Sequence, residues 1–255
     1  MGDRTYTAYR VNEKTGETFL DELMEYCTGE DWNEGDAPGV YSFYDANYGK
    51  VDEIEELLDS IGITYFHEWQ SGGDYNAGSV YSDKDRESDN LTEQGILTID
   101  ARSMLKAFDS RDTDYIDGVR KELAFITKCE GDIADTLYSQ EDALLYLISH
   151  SKDADSISAT EWLIDNVDLR SLLTENSEGG ANPFAQKLLT ALLQEKGLFS
   201  KISDPDDAEL IEPLGKMIAI LTDNSVNLSP EQGEQLMGIY TPSLRTVKKS
   251  PALTI

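Results

Sequence analysis

Between residues 15 and 83 the sequence carries one basic side chain, Lys50, against 17 acids. Charge pairing cannot hold such a stretch together, so its fold has to come from apolar residues that leave the carboxylates outside. The imbalance is regional. Residues 1–100 hold 24 acids and 6 bases, residues 101–255 hold 26 acids and 15 bases, and the chain of 255 residues has a formal net charge of −29. A protein that grips nucleic acid needs a basic face that releases counterions, so no direct nucleic-acid partner is expected. The 39% hydrophobic content, with 3 Trp, 13 Tyr and 7 Phe, supplies a core and argues against charge-driven disorder.

Local patterning in the first half alternates strands with helices. Residues 4–11 alternate like a strand, and Phe19, Leu20, Leu23, Met24 and Cys27 share one helical stripe. Residues 39–45 are aromatic and β-prone. Val51, Ile54, Leu57 and Leu58 have helical spacing, with Gly62 at a C-cap position. Ile63, Tyr65, His67 and Trp69 alternate, the run from Ser71 to Asp74 turns the chain, and residues 78–82 return as a hairpin partner. A last strand is expected over 95–100, leading into a helix over 101–108. From residue 112 the pattern is helical, with helices expected over 115–128, 140–150, 159–173, 183–196, 205–221 and 230–239. Ser158 with Glu161 reads as a capping box, and Pro183, Pro205 and Pro230 stand at helix starts. The expected class is α+β: a mixed-sheet domain over 1–110 with helices on one face, an all-helical domain over 111–241, and a basic tail over 242–255.

Catalytic chemistry finds little material. The two histidines, His67 and His150, are explained by a strand interior and by a helix C-terminus. No Cys-x-x-Cys, Gly-x-Ser-x-Gly, His-Glu-x-x-His or Gly-x-Gly-x-x-Gly occurs, and Gly49-Lys50 lacks the rest of a phosphate loop. The run Asp83 to Asp89 places acids at alternate positions, as a calcium loop begins. It has Ser88 where the sixth-position glycine belongs and Gln94 where the closing glutamate belongs. The expectation is a protein without catalytic residues, metal or cofactor. Cys27 and Cys129 read as reduced thiols, and the absence of a signal or spanning segment leads to a cytoplasmic expectation with no membrane partner.

The charge then demands its own explanation. Solubility needs a net magnitude of roughly 2–8 in a small domain, and a halophile would be expected to shed lysine, whereas Lys (13) outnumbers Arg (8) here. Duplex DNA carries one charge per about 1.7 Å, so 29 charges correspond to roughly 50 Å of duplex. A compact chain of this length has a diameter of about 45–50 Å. The two charge densities are comparable, and an acidic globule can occupy a basic groove in place of nucleic acid. The candidate face has two parts: Glu30, Asp31, Glu34 and Asp36 around Trp32 as an aromatic anchor, and the helix acids Asp52, Glu53, Glu55, Glu56 and Asp59.

The stretch Val51 to Ile63, running on through His67 and Trp69 to Gly73-Asp74-Tyr75, resembles a helix-strand-hairpin segment of uncharacterised plasmid and phage proteins. Tyr75-Asn76-Ala77-Gly78 is similar to a short element of acidic, DNA-mimicking antirestriction proteins of mobile elements, although Val80-Tyr81-Ser82 stands where their Gly-x-Trp follows. That resemblance implies inhibition of host restriction enzymes. The functional expectation is a non-catalytic DNA- or RNA-mimic inhibitor. Its expected partner is a basic nucleic-acid-binding protein, a nuclease or a CRISPR- or restriction-type complex. Two alternatives stand beside it: an adaptor using an apolar groove of the helical domain, and a metal-dependent enzyme built on the carboxylate loops. The tail over 242–255, with Arg245, Lys248, Lys249 and no acid side chain, is expected to fold onto the acidic body of its own or a neighbouring subunit, which admits a homo-oligomer.

Overall fold

The computed structural model describes residues 4–28, 37–88, 91–150, 154–169 and 183–192, with Gly215, Ala219, Pro230 and Glu234. By contacts the chain falls into two compact units, Met1–Ser139 and Gln140–Ile255.

The first unit is α+β. Its strands β1 (Arg4–Arg10), β2 (Val40–Asn47), β3 (Tyr65–Trp69), β4 (Gly78–Asp83) and β5 (Arg86–Glu87) form one sheet in the order β2-β1-β3-β4-β5. Every neighbouring pair is antiparallel, so the expected mixed sheet is corrected. The cause lies in the first connection. The helical excursion after β1 leaves and returns at the same end, where the Val11 amide donates to the Gly39 carbonyl at 2.8 Å and Val40 starts opposite Arg10.

That excursion is α1 (Glu13–Thr15), a π-helical stretch Gly16–Leu20, and α2 (Asp21–Thr28). α3 (Asp52–Ser60) follows β2 and packs beside α2. Phe19, Leu20, Leu23 and Met24 from the first run and Ile54, Leu57 and Leu58 from α3 are buried. Each stabilises the fold by about 1.5–3 kcal/mol. They close over the sheet face that carries Tyr9, Tyr41 and His67, which lie opposite one another across β1, β2 and β3. The turn into α3 needs Gly49: its φ is +73°, and a Cβ there would stand 2.8 Å from Cβ of Trp69.

The long helix α5 (Thr113–Asp135) follows α4 (Ala101–Ser110) and meets the sheet from the other side. Tyr81 donates its hydroxyl to Glu130, Lys128 pairs with Asp83 at 2.6 Å, and the Arg86 guanidinium stacks 4.1 Å above Phe125. Tyr81 lies opposite Phe66, on the face away from Tyr9 and His67, so helices flank both faces of the sheet and not one. Buried Asn12 ties the far end of α5 down. Its Oδ1 caps α1 by accepting from the Lys14 and Thr15 amides, while its Nδ2 donates to the carbonyls of Ile133 and Ala134. These bonds explain why α5, expected to open the helical domain, is packed into the first unit.

Residues 95–100 are not a strand. The Thr92 hydroxyl accepts from the amides of Gln94 and Ile96, Gly95 takes a φ of +75°, and only an isolated Leu91–Leu97 bridge forms. The side chain satisfies the amides that a ladder would have used. Asp100 instead caps α4, accepting from the Arg102 and Ser103 amides.

In the second unit α6 (Gln140–His150) packs with α7 (Ala154–Asn166) and with α8 (Pro183–Leu192). Leu144 and Leu147, Leu163, and Leu188 form its core. Because α7 begins at Ala154, Ser158 is interior to the helix and not its N-cap. The sequence-expected helices over 205–221 and 230–239 fall almost wholly outside the described residues, as does the tail over 242–255.

Candidate functional site

The outer layer formed by α2 and α3 contains eight acids, Asp21, Glu22, Glu25, Asp52, Glu53, Glu55, Glu56 and Asp59, and no base. On α3 the apolar stripe Ile54, Leu57 and Leu58 is fully buried, which turns Asp52, Glu53, Glu56 and Asp59 to solvent; Glu22 and Glu25 do the same on α2. Asp52 and Glu53 sit in the first helical turn, where the macrodipole favours anions. Asp59 sits near the other end and is less well placed. Partial desolvation, and then the negative charges of Glu55 and Glu87, push its carboxyl up to about 6, against a hydrogen bond from Tyr65.

Glu55 does not belong to that surface. Its side chain is 14% exposed and turns inward between α3 and the sheet. Oε1 accepts from the Tyr9 hydroxyl at 3.1 Å and lies 3.2 Å from Nδ1 of His67; Oε2 pairs with Lys50 at 3.2 Å. Burial pushes the Glu55 carboxyl up, but the His67 contact and Lys50 more than offset it, and the group ends below the ordinary glutamate range. Lys50, the single base of residues 15–83, is therefore engaged by Glu55. The placement of Glu55 next to Ile54, four residues from Val51 and three from Leu58, was the available signal that it borders the buried stripe.

On its other side His67 completes a chain of polar groups. Nε2 lies 2.7 Å from Oγ1 of Thr7 and 2.9 Å from the Gly49 carbonyl, which can only accept, so Nε2 carries the hydrogen. The Thr7 hydroxyl donates in turn to the Glu68 carbonyl at 2.9 Å. The connectivity Thr7–His67–Glu55 follows that of a nucleophile, base and orienting acid. Thr7 and His67 are both 0% exposed, and the Tyr9 ring stacks on the imidazole at 4.3 Å between centroids. A substrate has no route to that hydroxyl, and the network works as a polar core that locks α3 to β3.

The acidic run after β4 is also accounted for by local structure. Asp83 Oδ1 accepts from the Asp85 and Arg86 amides, both at 3.0 Å, and Oδ2 holds Lys128. The first ligand of a calcium loop is thus the cap of a hairpin turn. Among the described residues no group of three or more His, Cys, Asp and Glu is arranged to hold a metal ion. Cys27 and Cys129 are free thiols, and burial pushes the Cys129 thiol up to about 12. No helix among the described residues is long and apolar enough to cross a membrane.

The second part of the candidate face, Glu30, Asp31, Trp32, Glu34 and Asp36, lies outside the described residues. Comparison with protein-family models, with curated proteins and with solved structures finds no match for this chain.

Proposed function

We propose that this chain is a non-catalytic inhibitor that mimics a nucleic acid and occupies the basic groove of a nucleic-acid-handling protein, a restriction- or CRISPR-type nuclease or its targeting complex. One observation carries the reading: the α2–α3 layer is an acid-only surface standing on a rigid apolar base. Asp52, Glu53, Glu56 and Asp59 lie along eight residues of helix, whose seven steps of 1.5 Å cover about 10 Å. Four carboxylates in that length give about one charge per 3 Å, close to the spacing along one strand of duplex DNA. Glu22 and Glu25 on α2 supply a second row. Exposed carboxylates crowded this closely cost stability, and a basic groove offsets that cost while releasing counterions.

The test is inhibition of DNA cleavage by purified restriction enzymes and CRISPR effectors, with steady-state inhibition followed at rising salt. Inhibition that weakens steeply with salt supports the reading, and its absence across both classes refutes it. A second reading, an adaptor, is favoured by a shallow depression of about 470 Å³ between α6 and α8, lined by Leu145, Tyr146, Lys187 and Ala191. Binding through that depression would be indifferent to salt.

A further inference from the structure

Between residues 96 and 124 a single residue, Ala107, is buried. The stretch is nevertheless regular: it holds α4 and the opening of α5, joined through Arg111 and Asp112. The junction is fixed by its own bonds. Arg111 takes a left-handed φ of +56° and donates its amide to the Ala107 and Phe108 carbonyls, and Asp112 Oδ1 accepts from the Tyr115 amide at the start of α5.

Short helices are marginal in water unless an apolar face is covered. Ala101, Met104, Leu105 and Phe108 share one face of α4 by their i, i+3, i+4, i+7 spacing, yet Leu105 is 62% and Phe108 60% exposed. On α5 Leu123 is 46% exposed, and Gly118 leaves room beside the backbone, since a Cβ there would meet nothing within 4 Å. A helix that needs cover and shows its apolar face bare marks a contact surface.

Charge identifies what covers it. In a chain of net charge −29, residues 101–124 hold five acids and five bases, so two like-charged molecules can meet here without net repulsion. The ten charges are also sorted. Asp109, Asp112, Asp114 and Asp117 gather around the junction with Arg111 among them, whereas Arg102, Lys106, Arg120 and Lys121 stand farther along the two helices with Glu122. Glu122 is engaged by Arg86, and Arg120 and Asp117 form an exposed i,i+3 pair at 3.3 Å. A surface negative at its centre and positive on its arms complements a copy of itself across a two-fold axis, where each junction meets the other's arm.

We propose that the α4–α5 helix pair is a two-fold self-association surface, in which Leu105 and Phe108 of each copy are buried against the other and the junction acids of one face the arm bases of the other. The surface shares no residue with the α2–α3 acids, so either reading can fail without the other.

Sedimentation velocity of the full chain from about 2 to 200 µM at about 150 mM salt provides the test. A concentration-dependent shift from monomer to dimer is expected, and Leu105→Ser with Phe108→Ser should weaken it at least about tenfold. Two charge variants identify the partner: one with Asp109, Asp114 and Asp117 changed to lysine, the other with Arg102, Lys106 and Lys121 changed to glutamate, all six positions being exposed. Each variant by itself should stay monomeric, the first in spite of its smaller net charge. An equimolar mixture of the two should dimerise, with circular dichroism showing both to be folded. A wild-type chain that stays monomeric throughout, an apolar or charge variant that self-associates as the wild type does, or a mixture without dimer overturns the proposal.

Discussion

Glu55 and His67 meet where α3 crosses β3, with Oε1 of one 3.2 Å from Nδ1 of the other, and Tyr9 and Lys50 close the remaining sides of the carboxylate. One of five acids on a short helix is thereby withdrawn from the surface and made part of the core. Glu55→Ala should destabilise the first unit by about 2–3 kcal/mol, because it strips the buried acceptor from Tyr9 and the ion-pair partner from Lys50 together. Glu53→Ala, two positions away and exposed, should stay within about 0.5 kcal/mol. Urea denaturation of the two variants checks the contrast.

Two carboxylates of α3 respond to pH with opposite signs. Glu55 is held below its ordinary range in the folded state, so its contribution is present above the unfolded value near 4.3 and is lost as pH falls through the folded value. Asp59 is raised to about 6, so its contribution is complete below the unfolded value near 3.9 and is lost as pH rises through about 6. Asp59→Asn should therefore stabilise the protein at pH 7 by about 1 kcal/mol, allowing for solvent screening at an exposed position, and should change nothing below about pH 4. Thermal denaturation across that interval reads both signs.

Asn12 predicts how the first unit holds its last helix. Asn12→Ala removes the cap of α1 and both bonds to the α5 carbonyls. The expected loss is about 2 kcal/mol, accompanied by faster amide hydrogen exchange over residues 130–135 than elsewhere in α5. Uniform exchange along α5 would show that the anchor lies elsewhere.

The sequence makes some of this fold and site legible and hides the rest for physical reasons. The Val51–Leu58 stripe and Gly62, with a φ of +72°, define α3 because helical period and a left-handed cap are local properties. The inward turn of Glu55 depends on Tyr9 and His67, distant in sequence and brought together by pairing of β1 with β3, so periodicity counts it as one more surface acid. Residues 95–100 look like a strand by composition, but the Thr92 hydroxyl captures the Ile96 amide and Gly95 turns the chain at a φ of +75°. The assignment of α5 to the first unit rests on contacts distant in sequence, Asn12 with residues 133–134, Asp83 with Lys128 and Arg86 with Phe125, which local patterning cannot show.

Charge reversal separates the acid surface from bulk charge. Asp52, Glu53 and Glu56 changed together to lysine should abolish inhibition while leaving the Glu55 network intact. The same reversal at Asp109, Asp114 and Asp117, exposed on α4 and α5, should leave inhibition nearly unchanged. Loss in both variants would mean that net charge alone matters.

The most direct measurement of the central claim is competition between this protein and labelled duplex DNA for purified restriction and CRISPR-effector complexes. The account predicts that the protein displaces DNA from at least one of them. It further predicts that displacement weakens at least about tenfold from 50 to 200 mM salt and disappears in the Asp52, Glu53, Glu56 triple reversal. Displacement from none of them, or displacement that ignores salt and survives the reversal, would contradict it.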